Sequence, residues 1–183
     1  ADNRLDADGT LRGTFTLTAE GQSDSNIRRI FTTGFQSEWK STMERQLLAI
    51  SPKARLLSVD YGKNPKDYQA APIKITFRYE IPDYALRGEG EMFFRPMVMN
   101  NLYNQVRSYI WIDTSVENRK YGFKDGCSRL VELDETIQLP AGYKLVSAAK
   151  DETMQGVGAD FEGSLVQKGN KVLPVSYTHL TLP

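Results

Sequence analysis

Cys127 is the single cysteine of this 183-residue chain and His179 its single histidine, so nucleophilic or metal chemistry would have to rest on very few side chains. A catalytic thiol needs a base within hydrogen-bond reach and a third group to orient that base. Lys124 and Arg129 place positive charge on either side of Cys127, yet Lys124-Asp125-Gly126-Cys127-Ser128 has the composition of a turn leading into a strand. A lone cysteine also excludes an internal disulfide and a cysteine-cluster metal site. Asp134 and Glu135 are neighbours on a strand-like run, where successive side chains point to opposite faces and cannot act on one bond together. Asp6-Ala7-Asp8-Gly9 resembles the start of a calcium loop but lacks the later oxygen ligands and the bidentate Glu, so it reads as a hairpin turn. The glycines form neither a Walker nor a dinucleotide fingerprint. We therefore expect no catalytic residue, no cofactor and no metal site in this chain.

One further stretch has binding chemistry. From Met97 to Asn118 the chain carries Tyr103, Tyr109 and Trp111 among asparagines and arginines, and such rings offer flat apolar faces to a sugar or peptide. A core segment, or a surface covered by a neighbouring domain, is the commoner use of such residues, and we expect one of these. The final segment, Val175 to Pro183, reads VSYTHLTLP and resembles one reading frame of a transposase sequencing adapter, a familiar contaminant of assembled metagenomic genes. On that reading the natural chain is truncated near Pro174, and no native histidine remains to serve Cys127.

Composition bounds the rest. With 40% hydrophobic and 25% charged residues the chain can bury a core without staples. Its 23 basic residues are balanced by 23 acidic ones, which leaves no surplus to pull on a phosphate backbone, so nucleic acid is not an expected partner. No apolar run approaches the roughly 20 residues that span a bilayer, and a membrane-spanning segment is not expected.

The periodicities predict a mainly β fold of sandwich-like antiparallel sheets, with one helical region near residues 24–51. Leu11, Phe15, Leu17 and Ala19 alternate with Arg12, Thr14, Thr16 and Thr18 beyond the Asp8-Gly9 turn. Ser23 or Asp24 is placed to cap a helix bearing Ile27, Ile30 and Phe31, and Ser37 a second bearing Trp39, Met43, Leu47 and Ile50. Both stripes suit packing on a sheet. Leu57, Val59 and Tyr61 are expected on one face of a strand, and Ile73, Ile75, Phe77, Tyr79 and Ile81 form the cleanest alternation. Val131, Leu133, Ile137 and Leu139 alternate with polar residues along another strand, and Glu135 interrupts them, which suggests a bulge or a sheet rim. Lys144 to Ala149 extends that strand briefly, and Ala159 to Gln167 reads as a strand followed by a turn at Lys168-Gly169-Asn170. The composition shifts near Arg95, so we divide the chain into a β-rich part with a helical insertion at 1–95, an all-β part at 96–174, and a non-native tail at 175–183.

Four short segments then carry a resemblance: Ile81 to Ala85 (IPDYA), Phe93 to Pro96 (FFRP), Arg119 to Phe123 (RKYGF) and Thr136 to Tyr143 (TIQLPAGY). Their order and spacing resemble the domain of unknown function that follows the transglutaminase-like core in exported bacterial proteins. Gly122 stands where that family often has proline. The resemblance implies a non-catalytic accessory domain in the periplasm or cell envelope, packed against or positioning a papain-like Cys-His-Asp core upstream of Ala1 on the same parent chain. None of that catalytic set is carried onto these residues. The alternative is a carbohydrate- or peptide-binding β-sandwich module that uses Tyr103 to Trp111.

Overall fold

The computed structural model describes residues 1–100, 118, 120, 128–148 and 150–180. Strands β1 (Asp2–Leu5) and β2 (Leu11–Ala19) form an antiparallel hairpin that sets Leu5 opposite Leu11. The Asp6–Gly9 turn closes it. Asp6 N–H donates to the Thr10 carbonyl, Gly9 N–H to the Asp6 carbonyl, and Thr10 N–H to the Asp8 carboxylate at 2.9 Å. That last bond holds the Asp8 carboxyl below its ordinary pKa, so this carboxylate is engaged by the turn itself. Gly9 has φ +82°, and the Ala85 carbonyl lies 2.9 Å from where a Cβ would stand. Glycine is required there on both counts.

Helix α1 (Gly21–Thr32) begins before Ser23 and Asp24, so neither residue caps it. Asp24 is instead drawn to tertiary partners: its carboxylate accepts from Arg28 Nε and from the Ile73 N–H, each at 2.7 Å. Ser37 lies inside a 3-10 turn, Gln36–Glu38, that leads directly into α2 (Trp39–Leu48), which leaves it no capping role either. The apolar stripes do go into the core, where Ile27, Phe31, Trp39, Met43 and Leu47 are buried and Ile30 and Ile50 pack at its margin. Phe31, Trp39 and Tyr61 meet edge to face, with ring centroids 5.2–5.6 Å apart.

β3 (Arg55–Asp60) pairs with β4 (Ile73–Ile81), and the register shifts between Leu56 and Ser58. Leu57 is the extra residue of that bulge and is exposed, so Leu56 replaces it beside Val59 on the core side; simple alternation fails here for that reason. β4 keeps the expected period throughout, with Ile73, Ile75, Phe77, Tyr79 and Ile81 all buried. After it β5 (Leu86–Arg87) and β6 (Met92–Phe93) make a small separate ribbon, and Met97–Met99 form a 3-10 turn.

The second half supplies β7 (Arg129–Asp134), β8 (Thr136–Gln138), β9 (Glu152–Gln155), β10 (Ala159–Lys168) and β11 (Lys171–Leu180). Of Lys144 to Ala149, expected to prolong a strand, residues 144–148 lie outside regular structure and residue 149 outside the described residues. The protein is mainly β with one helical region, and its large sheet runs β3-β4-β2-β1-β8-β11-β10-β9, with β7 beside β11. Among the described ladders, β1–β8 is parallel and the others are antiparallel. This parallel ladder joins the parts on either side of residue 95 into one sheet. Val175 to Leu180 continue β11, paired with β10 on one side and β7 on the other. Among the described residues no helix is long and apolar enough to cross a membrane.

Candidate functional site

The one carboxylate set deep in the described core is Glu135, only 3% exposed. Its position follows from strand geometry. Counting by twos from Val131 through Leu133 reaches Glu135 and then Ile137 and Leu139, so all five occupy the inward face. No bulge intervenes: Val175 opposes Asp134 and Val172 opposes Ile137, which keeps one register across the gap between β7 and β8. The ladder is interrupted because Pro174, opposite Glu135, has no N–H to give. Its carbonyl still accepts the Glu135 N–H at 3.1 Å.

Both oxygens of the inward carboxylate are engaged. Oε1 accepts from Asn3 Nδ2 at 2.5 Å, and Oε2 from the Val98 N–H at 3.0 Å. Asn3 Oδ1 in turn accepts the Tyr79 hydroxyl at 2.5 Å. The register explains how a tyrosine on β4 reaches a residue on β1. Asn3, Gly13 and Tyr79 stand in one row across three strands, and a Cβ on Gly13 would overlap Asn3 Oδ1 and press on the Asp2 carbonyl. The missing side chain of Gly13 is the slot through which the two meet.

Next to this chain, the Tyr84 hydroxyl donates to the Arg95 carbonyl and accepts from Asn100 Nδ2 at 2.8 Å. Burial raises the Glu135 pKa, against the opposing pull of the Val98 N–H, Asn3, the Met97 N–H and the terminal ammonium. Tyr79 and Tyr84 are likewise pushed up, by burial first and then by the Glu135 charge. Chemically this is a buried carboxylate whose two oxygens are already taken by the protein's own donors.

Asp134 takes the opposite, exposed face, as alternation requires. With Asp2, Glu135, Thr136, Leu173 and Val175 it lines a shallow depression of about 320 Å³. His179 is half-buried on β11, across from Asp160 and Leu130. Among the described residues no group of three or more His, Cys, Asp or Glu side chains is arranged to hold a metal ion. Cys127, Lys124, the aromatics from Tyr103 to Trp111 and nearly all of Arg119 to Phe123 lie outside the described residues.

A second buried polar centre is structural in every contact it makes. Arg28, 2% exposed, pairs with Asp24 and donates to the carbonyls of Pro65, Asp67 and Ala71 at 2.8–3.2 Å. It gathers the loop between β3 and β4 onto α1. The sequence reading passed over Arg28, Asn3, Gly13 and the hydroxyls of Tyr79 and Tyr84. Gly13 and Glu135 were visible in principle, since each occupies the apolar phase of a strand without being an apolar side chain. No family model, curated protein or solved structure matches the chain.

Proposed function

We propose that this chain is a non-catalytic accessory domain of an exported transglutaminase-like protein, in the periplasm or cell envelope, packing against or positioning a catalytic core on the same parent chain. The observation that carries the reading is how the resembling segments are used. Tyr84 from Ile81 to Ala85 bonds the Arg95 carbonyl within Phe93 to Pro96, and Val98, two residues beyond that segment, bonds Glu135 at the threshold of Thr136 to Tyr143. Two segments that carry the resemblance thus bond each other directly, and residues adjoining the second and a third bond each other beside them, as motifs of a scaffold do. Beside them Leu86 and Phe93 face each other across the β5–β6 ribbon at 73% and 62% exposure, an apolar pair suited to a neighbouring surface.

Two measurements test this. The purified chain, assayed against peptide and ester substrates, is expected to leave both unchanged. Co-expressed with a transglutaminase-like core encoded in the same reading frame, it is expected to co-elute with that core and raise its melting temperature. Turnover that disappears on Cys127→Ala substitution would overturn the proposal, and so would a reading frame that encodes no such core.

A further inference from the structure

β1 stands between β2 and β8, and Ala1 already belongs to the second of these ladders. Its amino group donates to the Asp134 carbonyl at 2.6 Å and its carbonyl accepts the Thr136 N–H at 2.8 Å, which is how a strand parallel to β7 would bond. Ahead of Ala1 both neighbours run on without it: β2 continues from Phe15 to Ala19, and β7 from Asp134 back towards Arg129. No described strand pairs with either of them on that side.

Alternation decides which backbone groups face this slot. Asp6 N–H bonds the Thr10 carbonyl, so the even-numbered residues of β2 bond towards β1, and Thr16 and Thr18 turn their N–H and C=O groups into the slot. On the opposite wall Glu135 N–H goes to Pro174, so Asp134 and Glu132 turn their N–H groups away from β11 and towards the line of β1. The side chains agree across the gap. Leu17 and Leu133 pack against the core on the inward face, while Thr16, Thr18, Glu132 and Asp134 lie outward.

We propose that the segment preceding Ala1 on the parent chain fills this slot as a continuation of β1, antiparallel to β2 and parallel to β7. The link to the core is then a strand of this sheet, which holds the core in a fixed orientation, and not a flexible tether. This rests on the reading that a core precedes Ala1. A bare edge can accept any passing strand, but covalent continuity with β1 gives this segment a far higher effective concentration than a competitor. Extending the register, the residue directly ahead of Ala1 falls between Thr16 and Asp134, and the one before it between Leu17 and Leu133. The segment should therefore alternate: apolar at every second position counted back from Ala1, and polar or basic in between, beside the carboxylates of Glu132 and Asp134.

The test is amide hydrogen exchange by NMR on the 183-residue chain and on the same chain carrying the next residues of its parent reading frame ahead of Ala1, about six of them, a usual strand length. In the shorter chain the Thr16, Thr18, Glu132 and Asp134 amides should exchange fast, and in the longer one at least about tenfold more slowly. Proline in place of the residue directly ahead of Ala1 should return Thr16 to fast exchange. Unchanged amides in the longer chain would overturn the proposal. Protection already present in the shorter chain would do so too, and if that protection grew with concentration it would assign the slot to a second copy. Protected amides behind a reading frame with no transglutaminase-like core would sink the accessory-domain reading and leave the strand standing; a core joined through unprotected amides would do the reverse.

Discussion

Replacing Arg28 with alanine tests whether the loop between β3 and β4 is held by one side chain. The guanidinium is 2% exposed, its partner Asp24 is 15% exposed, and three loop carbonyls at 65, 67 and 71 converge on it. Removing one member of a buried, hydrogen-bonded ion pair costs about 3–5 kcal/mol, because the remaining charge and acceptors lose their partners without regaining water. Asp24 retains the Ile73 N–H, which argues for the lower half of that range. At roughly 2–4 °C per kcal/mol for a chain of this size, Arg28→Ala should lower the melting temperature by about 6–15 °C. Arg28→Lys keeps the charge but not the fork, so it should recover only part of the loss. Limited proteolysis by trypsin adds a local readout, since Lys63 and Lys66 lie in the loop and should be cut faster in the alanine variant. A loss under about 1 kcal/mol, with unchanged cleavage at those lysines, would refute the reasoning: the loop would then be held by its own turns.

Other positions give equally direct outcomes. Gly13→Ala should cost about 2–4 kcal/mol in urea unfolding, since the new methyl displaces Asn3 and breaks the row behind it. Gly88→Ala, where nothing lies within 4 Å, should change stability by no more than about 0.5 kcal/mol. Tyr61 Oη is buried with no hydrogen-bond partner among the described residues, and burial raises its pKa, so Tyr61→Phe should be neutral or stabilise by up to about 1 kcal/mol in the same assay. Because burial raises the Glu135 pKa, that group's contribution to stability is full below the ordinary value of 4.5 and is lost as pH climbs through the folded-state value; Glu135→Gln should flatten this part of the pH–stability curve measured by thermal unfolding.

Strand and helix types were legible because burial on one face writes a period into the sequence. β4 and β10 could be read directly, as could the Asp8-Gly9 turn, whose chemistry is local. The misreadings share a cause. Asp24 has every local property of a cap, but a backbone N–H on β4 and an arginine one turn on compete for it more strongly. Leu57 alternates correctly in sequence, and a one-residue bulge turns it outward. Glu135 looked like an interruption of the pattern because its chemical type was given more weight than its phase. The partners that make it tolerable, Asn3 and Val98, are 132 and 37 residues away. No local window contains them.

A buried polar row is a costly way to fill a core, and the place it occupies suggests what it secures. The two parts of the large sheet join through β1 and β8, a parallel ladder of just three residue pairs. So short a ladder specifies its own register weakly, and a slip by one residue would exchange its faces. In such a slip Asn3 and Glu135 would leave each other, exposing buried donors and a charge to apolar neighbours. Each stranded group would cost about 1–3 kcal/mol, more for the carboxylate. An apolar pair at the same positions would oppose the slip only through the loss of its own burial. The Tyr79–Asn3–Glu135 row therefore makes the joint between the two parts specific, with Gly13 as its necessary gap, at some expense in stability.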